Sequence, residues 1–153
     1  MTFIIRKVRL PDDYIPMASL LNTLGDEPLS ARDLEFADCQ VPQVGRTSSN
    51  AEGLLTGTCR ERVVAEDEFG RVLGYAIVSR DGMTLPGIVD GLVVVHPDHR
   101  NQGIGSALAN HLETWAHQQG AAQLVAVGVL PVFADLARKR GYQEEHSGLM
   151  KRL

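Results

Sequence analysis

One stretch of the sequence decides the fold: Val93-Val94-Val95-His96-Pro97-Asp98-His99-Arg100-Asn101-Gln102-Gly103-Ile104-Gly105-Ser106. It begins inside a continuous apolar run, which is typical of a central strand covered on both faces. His96-Pro97 ends that strand, and apolar residues at three- and four-residue spacing then predict a helix from Gly103 to Gln119. Backbone N–H groups at a helix start have no intrahelical partner, so the stretch predicts a site for an anion such as a diphosphate.

Two common diphosphate motifs do not fit this stretch. A P-loop needs Gly-Lys-Ser/Thr, whereas Gly105 is followed by Ser106-Ala107. A dinucleotide-binding turn needs G-x-G-x-x-G directly after the strand, but Leu108 occupies the third glycine position. Both interpretations therefore fail, although the prediction of an anion site stands.

Further strands and helices are predicted on both sides of this stretch. A capping box at Ser30 and Asp33 predicts a helix to about Asp38, and Gly25 is expected to end the helix before it. The other predicted elements are a strand at Phe3–Val8, a hairpin of Arg62–Glu66 and Val72–Ser79, a strand at Leu124–Val129, a helix at Pro131–Arg140 and one or two strands in Tyr142–Leu153. Without a repeat or a linker, the pattern predicts one α/β domain with a mixed sheet, residues 1–153.

Composition narrows the class of protein. The 153 residues carry 15 Lys+Arg against 19 Asp+Glu, a net charge of −4, which argues against nucleic acid or anionic membrane as a partner. Cys39 and Cys59 are too few for a disulfide framework and fit a reducing compartment. The N-terminal residues do not resemble a signal peptide and no apolar run would span a bilayer, so we expect a cytoplasmic protein.

The motif Arg100-x-x-Gly103-x-Gly105, after a Val-x-Pro strand end, resembles the acetyl-CoA signature of the GNAT (GCN5-related) N-acetyltransferase superfamily. The order of predicted elements agrees, including the Gly141-Tyr142 pair near the end, and the resemblance covers about Phe3 to Leu153. It implies a mixed, mostly antiparallel twisted sheet with helices on both faces and splayed central strands. Many members of this superfamily dimerise, so a homodimer is left open.

The resemblance also implies a cosubstrate, acetyl-CoA, and its contacts. Its diphosphate is expected on the backbone N–H groups of Arg100, Asn101, Gln102, Gly103, Ile104, Gly105 and Ser106. The pantetheine arm is expected along the backbone edge of Val93, Val94 and Val95, beside Gly128, with Phe133 as a wall of the channel. We expect no metal, because His96, Asp98 and His99 lie on one tight loop that the diphosphate already uses.

The reaction implied by the resemblance is acetyl transfer to a primary amine of a small molecule or peptide, by direct attack on the thioester. An alkylammonium group with a pKa of about 10.4 must lose a proton first. Asp90 in the central strand is the first candidate base, Glu66 is the second and water is the third. A strand N–H near Val94 or Val95 is expected to stabilise the oxyanion.

One departure from the superfamily leaves an alternative open. Many members carry a Tyr that protonates the departing thiolate, and Ala137 stands in its place, as Leu130 does for the usual Asn. If the last helix lies where the superfamily has it, residue 137 faces the acyl sulfur in an open cleft. The alternative is a module that binds acyl-CoA without turnover, and transfer of a longer acyl group is a further one. The acceptor is not indicated by any motif.

Overall fold

The computed structural model describes residues 2–23, 30–40, 48–49, 55–56, 59–80, 88–126, 136–145 and 148–153. Within these ranges the helices are α1 (Tyr14–Leu21), α2 (Ala31–Gln40) and α3 (Ile104–Gln118), and residues 136–139 form a further helical turn. The strands are β1 (Phe3–Lys7), β2 (Ser48–Ser49), β3 (Leu55–Thr56), β4 (Cys59–Asp67), β5 (Val72–Arg80), β6 (Ile88–Val95), β7 (Gln123–Ala126), β8 (Gln143–Glu145) and β9 (Gly148–Arg152).

Seven of these strands form one mixed sheet in the order β1-β4-β5-β6-β7-β9-β8. The pair β6–β7 is parallel and the other neighbours are antiparallel, which confirms the predicted mixed and mostly antiparallel sheet. Strand β6 therefore lies at the point where the sheet changes direction. The strands β2 and β3 pair separately, within the stretch Cys39–Thr58, whose Gly, Ser, Asn, Thr and Pro content predicts a long loop.

Two apolar clusters cover the two faces of the sheet, so helices on both faces are confirmed. The cluster on the α3 side includes Val63, Val93, Ile104, Leu108 and Leu112. The cluster on the α1 side includes Met17, Leu20, Val64, Tyr75 and Val94. Because β6 supplies side chains to both clusters, its sequence reads as a continuous apolar run. No helix in the described ranges is long and apolar enough to cross a membrane.

The ends of the helices follow local sequence signals where the structure describes them. The Ser30 Oγ accepts a hydrogen bond from the Asp33 N–H at 3.1 Å, and the Asp33 carboxylate accepts one from the Ser30 N–H at 2.8 Å. This reciprocal pair confirms the predicted capping box. Helix α1 ends at Leu21, and the predicted stop at Gly25 lies outside the described residues.

A buried ion cluster joins β1 and β4 to the start of α1. The Arg6 guanidinium donates to both oxygens of Asp13, at 2.7 and 3.0 Å, and to the Glu66 carboxylate. The Arg9 N–H donates to Asp13 at 2.6 Å. The hydrogen bond from Arg6 lowers the pKa of the Asp13 carboxyl and outweighs the opposing effect of burial, and the Arg9 N–H adds to the lowering. The cluster fixes the first turn of α1 against the sheet.

Acid should weaken this cluster in a defined direction. The folded-state pKa of Asp13 lies below its unfolded-state value of about 3.9, so its stabilising effect is present above about pH 4 and disappears as the pH falls through the folded-state pKa. Asp13→Asn should therefore melt at a lower temperature than the wild type at pH 7, and the gap between their melting temperatures should narrow on acidification. A gap that stays constant from pH 7 to pH 3 would contradict this assignment.

Candidate functional site

The central strand passes into α3 through a tight, hydrogen-bonded loop. The His96 N–H donates to the Leu73 carbonyl at 2.8 Å, which holds the end of β6 against β5. One 3₁₀ turn, Pro97–His99, follows, and the His96 Nδ1 accepts a hydrogen bond from the Asp98 N–H at 3.1 Å. These contacts give His96 a local structural role as the cap of the turn. No cluster of three metal-ligand side chains occurs within the described parts of the chain.

The start of α3 has the geometry of an anion site. Asn101 and Gly103 both have left-handed backbone conformations, with φ values of 64° and 85°. The first hydrogen bond of the helix runs from the Ala107 N–H to the Gly103 carbonyl at 3.0 Å. Three N–H groups, those of residues 104–106, come before this bond and have no intrahelical acceptor. With the positive end of the helix dipole, they are suited to an anion.

The two glycines of the motif have different structural roles. A Cβ on Gly103 would meet nothing within 4 Å, so its requirement for glycine is the positive φ and the open approach to the backbone. A Cβ on Gly105 would lie 2.9 Å from the Leu136 Cδ2 and 3.5 Å from the Val95 Cγ2. Gly105 therefore allows the last helical turn (residues 136–139) and the end of β6 to pack closely on α3.

Arg100 folds back onto the strand instead of extending into solvent. Its Nε donates to the Val95 carbonyl at 3.3 Å, and the side chain is half-buried. Asn101, Gln102 and Gly103 are exposed, whereas Ile104 is buried in the core. The loop thus combines one fixed guanidinium with exposed main chain.

The hydrogen-bond alternation of the β5–β6 ladder distinguishes the residues of β6. Because the His96 N–H bonds to the Leu73 carbonyl, that cross-strand pair is a hydrogen-bonded one. Hydrogen-bonded and non-hydrogen-bonded pairs alternate along an antiparallel ladder, so the main chain of Val94 also faces β5. The N–H groups of Val93 and Val95 face the β7 side. Of the two predicted oxyanion donors, Val95 thus has the suitable orientation.

The described pairing of β6 with β7 ends at Gly91 and Ala126. Beyond that point, the strand partner described for the end of β6 is β5 alone. The predicted neighbours Gly128, Leu130 and Phe133 lie outside the described residues.

The two candidate bases have different surroundings. Asp90 lies in β6, with its main chain between Ser79 of β5 and Val125 of β7. Glu66 lies on β4, two strands from β6, and its carboxylate is paired with Arg6. Proton transfer to Glu66 would have to compete with that ion pair, which makes it the weaker candidate.

Ala137 corrects the expectation of an open cleft at that position. It is 1% exposed and belongs to the α3-side cluster, beside Tyr142 and Leu149. The Ala137 carbonyl accepts the N–H groups of Arg140 and Tyr142, at 3.1 and 3.0 Å. The chain reverses at Gly141, whose φ is 93°, and folds the Tyr142 ring inward, so Ala137 is covered. A phenol at position 137 would not fit this arrangement.

A second ion cluster was not predicted from the sequence. Glu113 of α3 accepts hydrogen bonds from the Arg140 Nη2 at 2.7 Å and Nε at 3.3 Å, and the Lys151 Nζ is 3.3 Å away. Burial would raise the pKa of the Glu113 carboxyl, but Arg140 and Lys151 outweigh it and lower the pKa. Burial, followed by the Glu113 charge, raises the pKa of the Tyr142 hydroxyl well above its usual range. The sequence signal for this cluster was an acidic residue, Glu113, on the buried side of α3 together with basic residues near the C-terminus.

The family model for the acetyltransferase (GNAT) family matches residues 29–142, which include the whole strand–loop–helix stretch. A mycothiol acetyltransferase from Frankia casuarinae is 37% identical over 108 residues, which cover 67% of this chain and 28% of that protein. A mycothiol acetyltransferase from Nocardiopsis dassonvillei is 37% identical over 91 residues, 59% of this chain and 26% of that protein. The chain thus spans about a quarter of the length of these curated relatives.

The fold also matches a solved structure over its whole length. A phosphinothricin acetyltransferase of the GNAT superfamily from Sinorhizobium meliloti, solved in complex with acetyl-CoA, superposes with a TM-score of 0.71. The two sequences are 21% identical, and the match covers 100% of this chain and 89% of that one. At this identity the likeness concerns the fold.

Proposed function

Since the chain belongs to the GNAT acetyltransferase family, we propose that it transfers an acetyl group from acetyl-CoA to a primary amine of a small molecule or peptide. The observation that carries this proposal is the start of α3, where backbone N–H groups without an intrahelical acceptor follow the end of the central strand. A diphosphate is the ligand chemistry that such a site favours. The Sinorhizobium meliloti enzyme of the same fold was solved with acetyl-CoA, which agrees with that choice of ligand.

The proposed cosubstrate contacts follow from the orientation of the main chain. The N–H groups from Arg100 to Ser106 bind the diphosphate, and the Arg100 guanidinium adds positive charge beside them. The pantetheine arm runs along β6 on its β7 side, where Val93 and Val95 direct their N–H and carbonyl groups. Phe133 remains the proposed wall of the channel. The side chains of Val93 and Val94 are buried, so only their backbone is near the ligand.

The proposed reaction is direct transfer without an acyl-enzyme. The neutral amine nitrogen attacks the thioester carbonyl carbon, a C–N bond forms, and the carbonyl oxygen gains negative charge. The Val95 N–H stabilises that oxygen. The tetrahedral intermediate then breaks its C–S bond and releases the CoA thiolate. The proton lost by the amine passes to Asp90 through a chain of water molecules, because five residues of extended strand separate the main chains of Asp90 and Val95 by roughly 16 Å. Because a thiol has a pKa of about 8.5, the thiolate can leave without a strong acid beside it.

A second candidate function is binding of acyl-CoA without turnover. The observation that favours it is Ala137, which is buried and offers no proton donor at the position of the superfamily's Tyr. Both candidates share the cosubstrate site and differ only in whether the thioester is consumed.

Release of free thiol from acetyl-CoA separates the two candidates. The protein is incubated with acetyl-CoA and a panel of primary amines, and thiol appearance is followed with and without each amine. We expect amine-dependent release and an acetylated product of matching mass. Tight acetyl-CoA binding with no release on any amine would favour the non-catalytic module. Faster release from a longer acyl-CoA with the same amine would correct the acyl preference.

A matched pair of variants tests the diphosphate site. Asn and Asp have nearly the same shape, so Gly103→Asn and Gly103→Asp experience similar backbone strain at the positive φ. Only Asp adds a negative charge. That charge stabilises the start of the helix when no ligand is bound, but it repels a diphosphate. Calorimetry should show acetyl-CoA binding weaker by about tenfold, about 1.4 kcal/mol, in Gly103→Asp than in Gly103→Asn. Equal acetyl-CoA affinity in the two variants, both folded, would contradict the proposal that this loop binds the diphosphate.

A further inference from the structure

The last helical turn (residues 136–139) contacts the proposed diphosphate loop through one side chain. Leu136 is half-buried, and its Cδ2 lies 2.9 Å from the point that a Cβ on Gly105 would occupy. The Leu136 side chain thus packs on the first turn of α3. Any displacement of this turn changes the packing at the N–H groups proposed to bind the diphosphate.

A charged pair ties the C-terminal end of the same turn to α3. The Arg140 guanidinium meets the Glu113 carboxylate with two nitrogens, at 2.7 and 3.3 Å, and its Nη2 lies 3.5 Å from the Asn110 Oδ1. The Glu113 side chain is 11% exposed and that of Arg140 is 20% exposed, so solvent screens the pair only partly. Two nitrogens on one carboxylate also fix orientation, which a single contact does not.

We infer that Glu113 and Arg140 are positioning residues for acetyl-CoA, because they hold Leu136 against Gly105 and so set the shape of the loop that binds the diphosphate. The inference rests on the proposed function. Neither residue contacts the ligand directly. Their effect reaches the site through a turn anchored at both ends, by Leu136 on α3's first turn and by Arg140 farther along α3.

The same carboxylate provides a matched control. The Lys151 Nζ lies 3.3 Å from Glu113, its side chain is 29% exposed, and it belongs to β9 and not to the last helical turn. Loss of either cation therefore removes one of the positive charges that stabilise the same buried carboxylate. Only loss of Arg140 also removes a charged contact between α3 and the turn that carries Leu136. General destabilisation and loss of positioning can be separated in this way.

The test compares Arg140→Gln with Lys151→Gln in the full chain. We expect both variants to melt at a lower temperature than the wild type. The dissociation constant and the KM for acetyl-CoA should rise by about three- to tenfold in Arg140→Gln and by less than about twofold in Lys151→Gln. At saturating acetyl-CoA the kcat of both variants should remain near the wild-type value. Arg140→Lys, which keeps the charge but not the two-nitrogen contact, should recover part of the affinity.

Each outcome decides the inference. A wild type that does not bind acetyl-CoA would overturn the proposed function and this inference together. Normal wild-type binding with equal affinity in Arg140→Gln would overturn the positioning role alone. Equal losses of affinity in the two Gln variants would assign the effect to general destabilisation and would also overturn it.

Discussion

Replacement of Asp90 by Asn is expected to lower kcat by roughly 10²–10⁴, with little change in the affinity for acetyl-CoA. Asn has the shape of Asp but cannot accept the proton that the attacking amine must lose. Position 90 lies in the part of β6 that is paired on both sides, whereas the pantetheine is proposed to bind beyond it, so binding and proton transfer should separate. Steady-state rates on a confirmed acceptor, with calorimetry of acetyl-CoA, check this prediction.

The matched control for Asp90→Asn is Glu66→Gln. Glu66 is engaged by Arg6, so its replacement should lower the melting temperature and leave kcat within a small factor of the wild type. An unchanged rate in Asp90→Asn together with a large loss in Glu66→Gln would transfer the role to Glu66. An unchanged rate in both variants would leave water as the proton acceptor.

Replacement of Ala137 by Tyr is expected to destabilise the protein by roughly 1–3 kcal/mol, because extra volume in a packed core forces its neighbours to move. Ala137 is 1% exposed, and the Tyr142 ring and Leu149 already pack in the same cluster. A Tyr at position 137 would have the superfamily's residue type, but its phenol would lie in the core and not beside the acyl sulfur. Thermal or denaturant unfolding of the variant gives the magnitude.

Lys139→Tyr is the control for this change, since Lys139 is exposed on the same turn. The same ring at that position should change stability by less than about 0.5 kcal/mol. If Ala137→Tyr instead unfolds like the wild type and turns over faster, the cleft is open at residue 137. The packing described for the last turn would then be wrong.

Local patterns predicted the parts of the molecule in which neighbouring residues in sequence determine the structure. The apolar run at Val93, the turn at His96-Pro97 and the glycine at position 103 each have a direct conformational consequence, and the structure contains the strand, the turn and the helix start. The capping box at Ser30 is local in the same sense. The central place of β6 in the sheet could also be predicted from the sequence, because a strand buried on both faces needs apolar residues at nearly every position.

Contacts between distant parts of the chain could not be predicted in this way. Arg6 and Glu66 are 60 residues apart and Glu113 and Arg140 are 27 apart, and no periodicity specifies such partners. The direction in which Ala137 faces depends on how Gly141 reverses the chain and where Tyr142 then packs. The choice of Val95 over Val94 as oxyanion donor needed the strand register, which a sequence run of three valines does not contain.

Amide hydrogen exchange at the start of α3 tests the central claim most directly, namely that this loop binds acetyl-CoA through its backbone. Exchange is measured with and without saturating acetyl-CoA, with the β4 amides as internal reference. With acetyl-CoA bound, exchange should be slower at residues 104–106 and at the Val93 and Val95 amides and should change little in β4. Acetyl-CoA binding that leaves residues 104–106 unprotected while it protects another surface would contradict the claim.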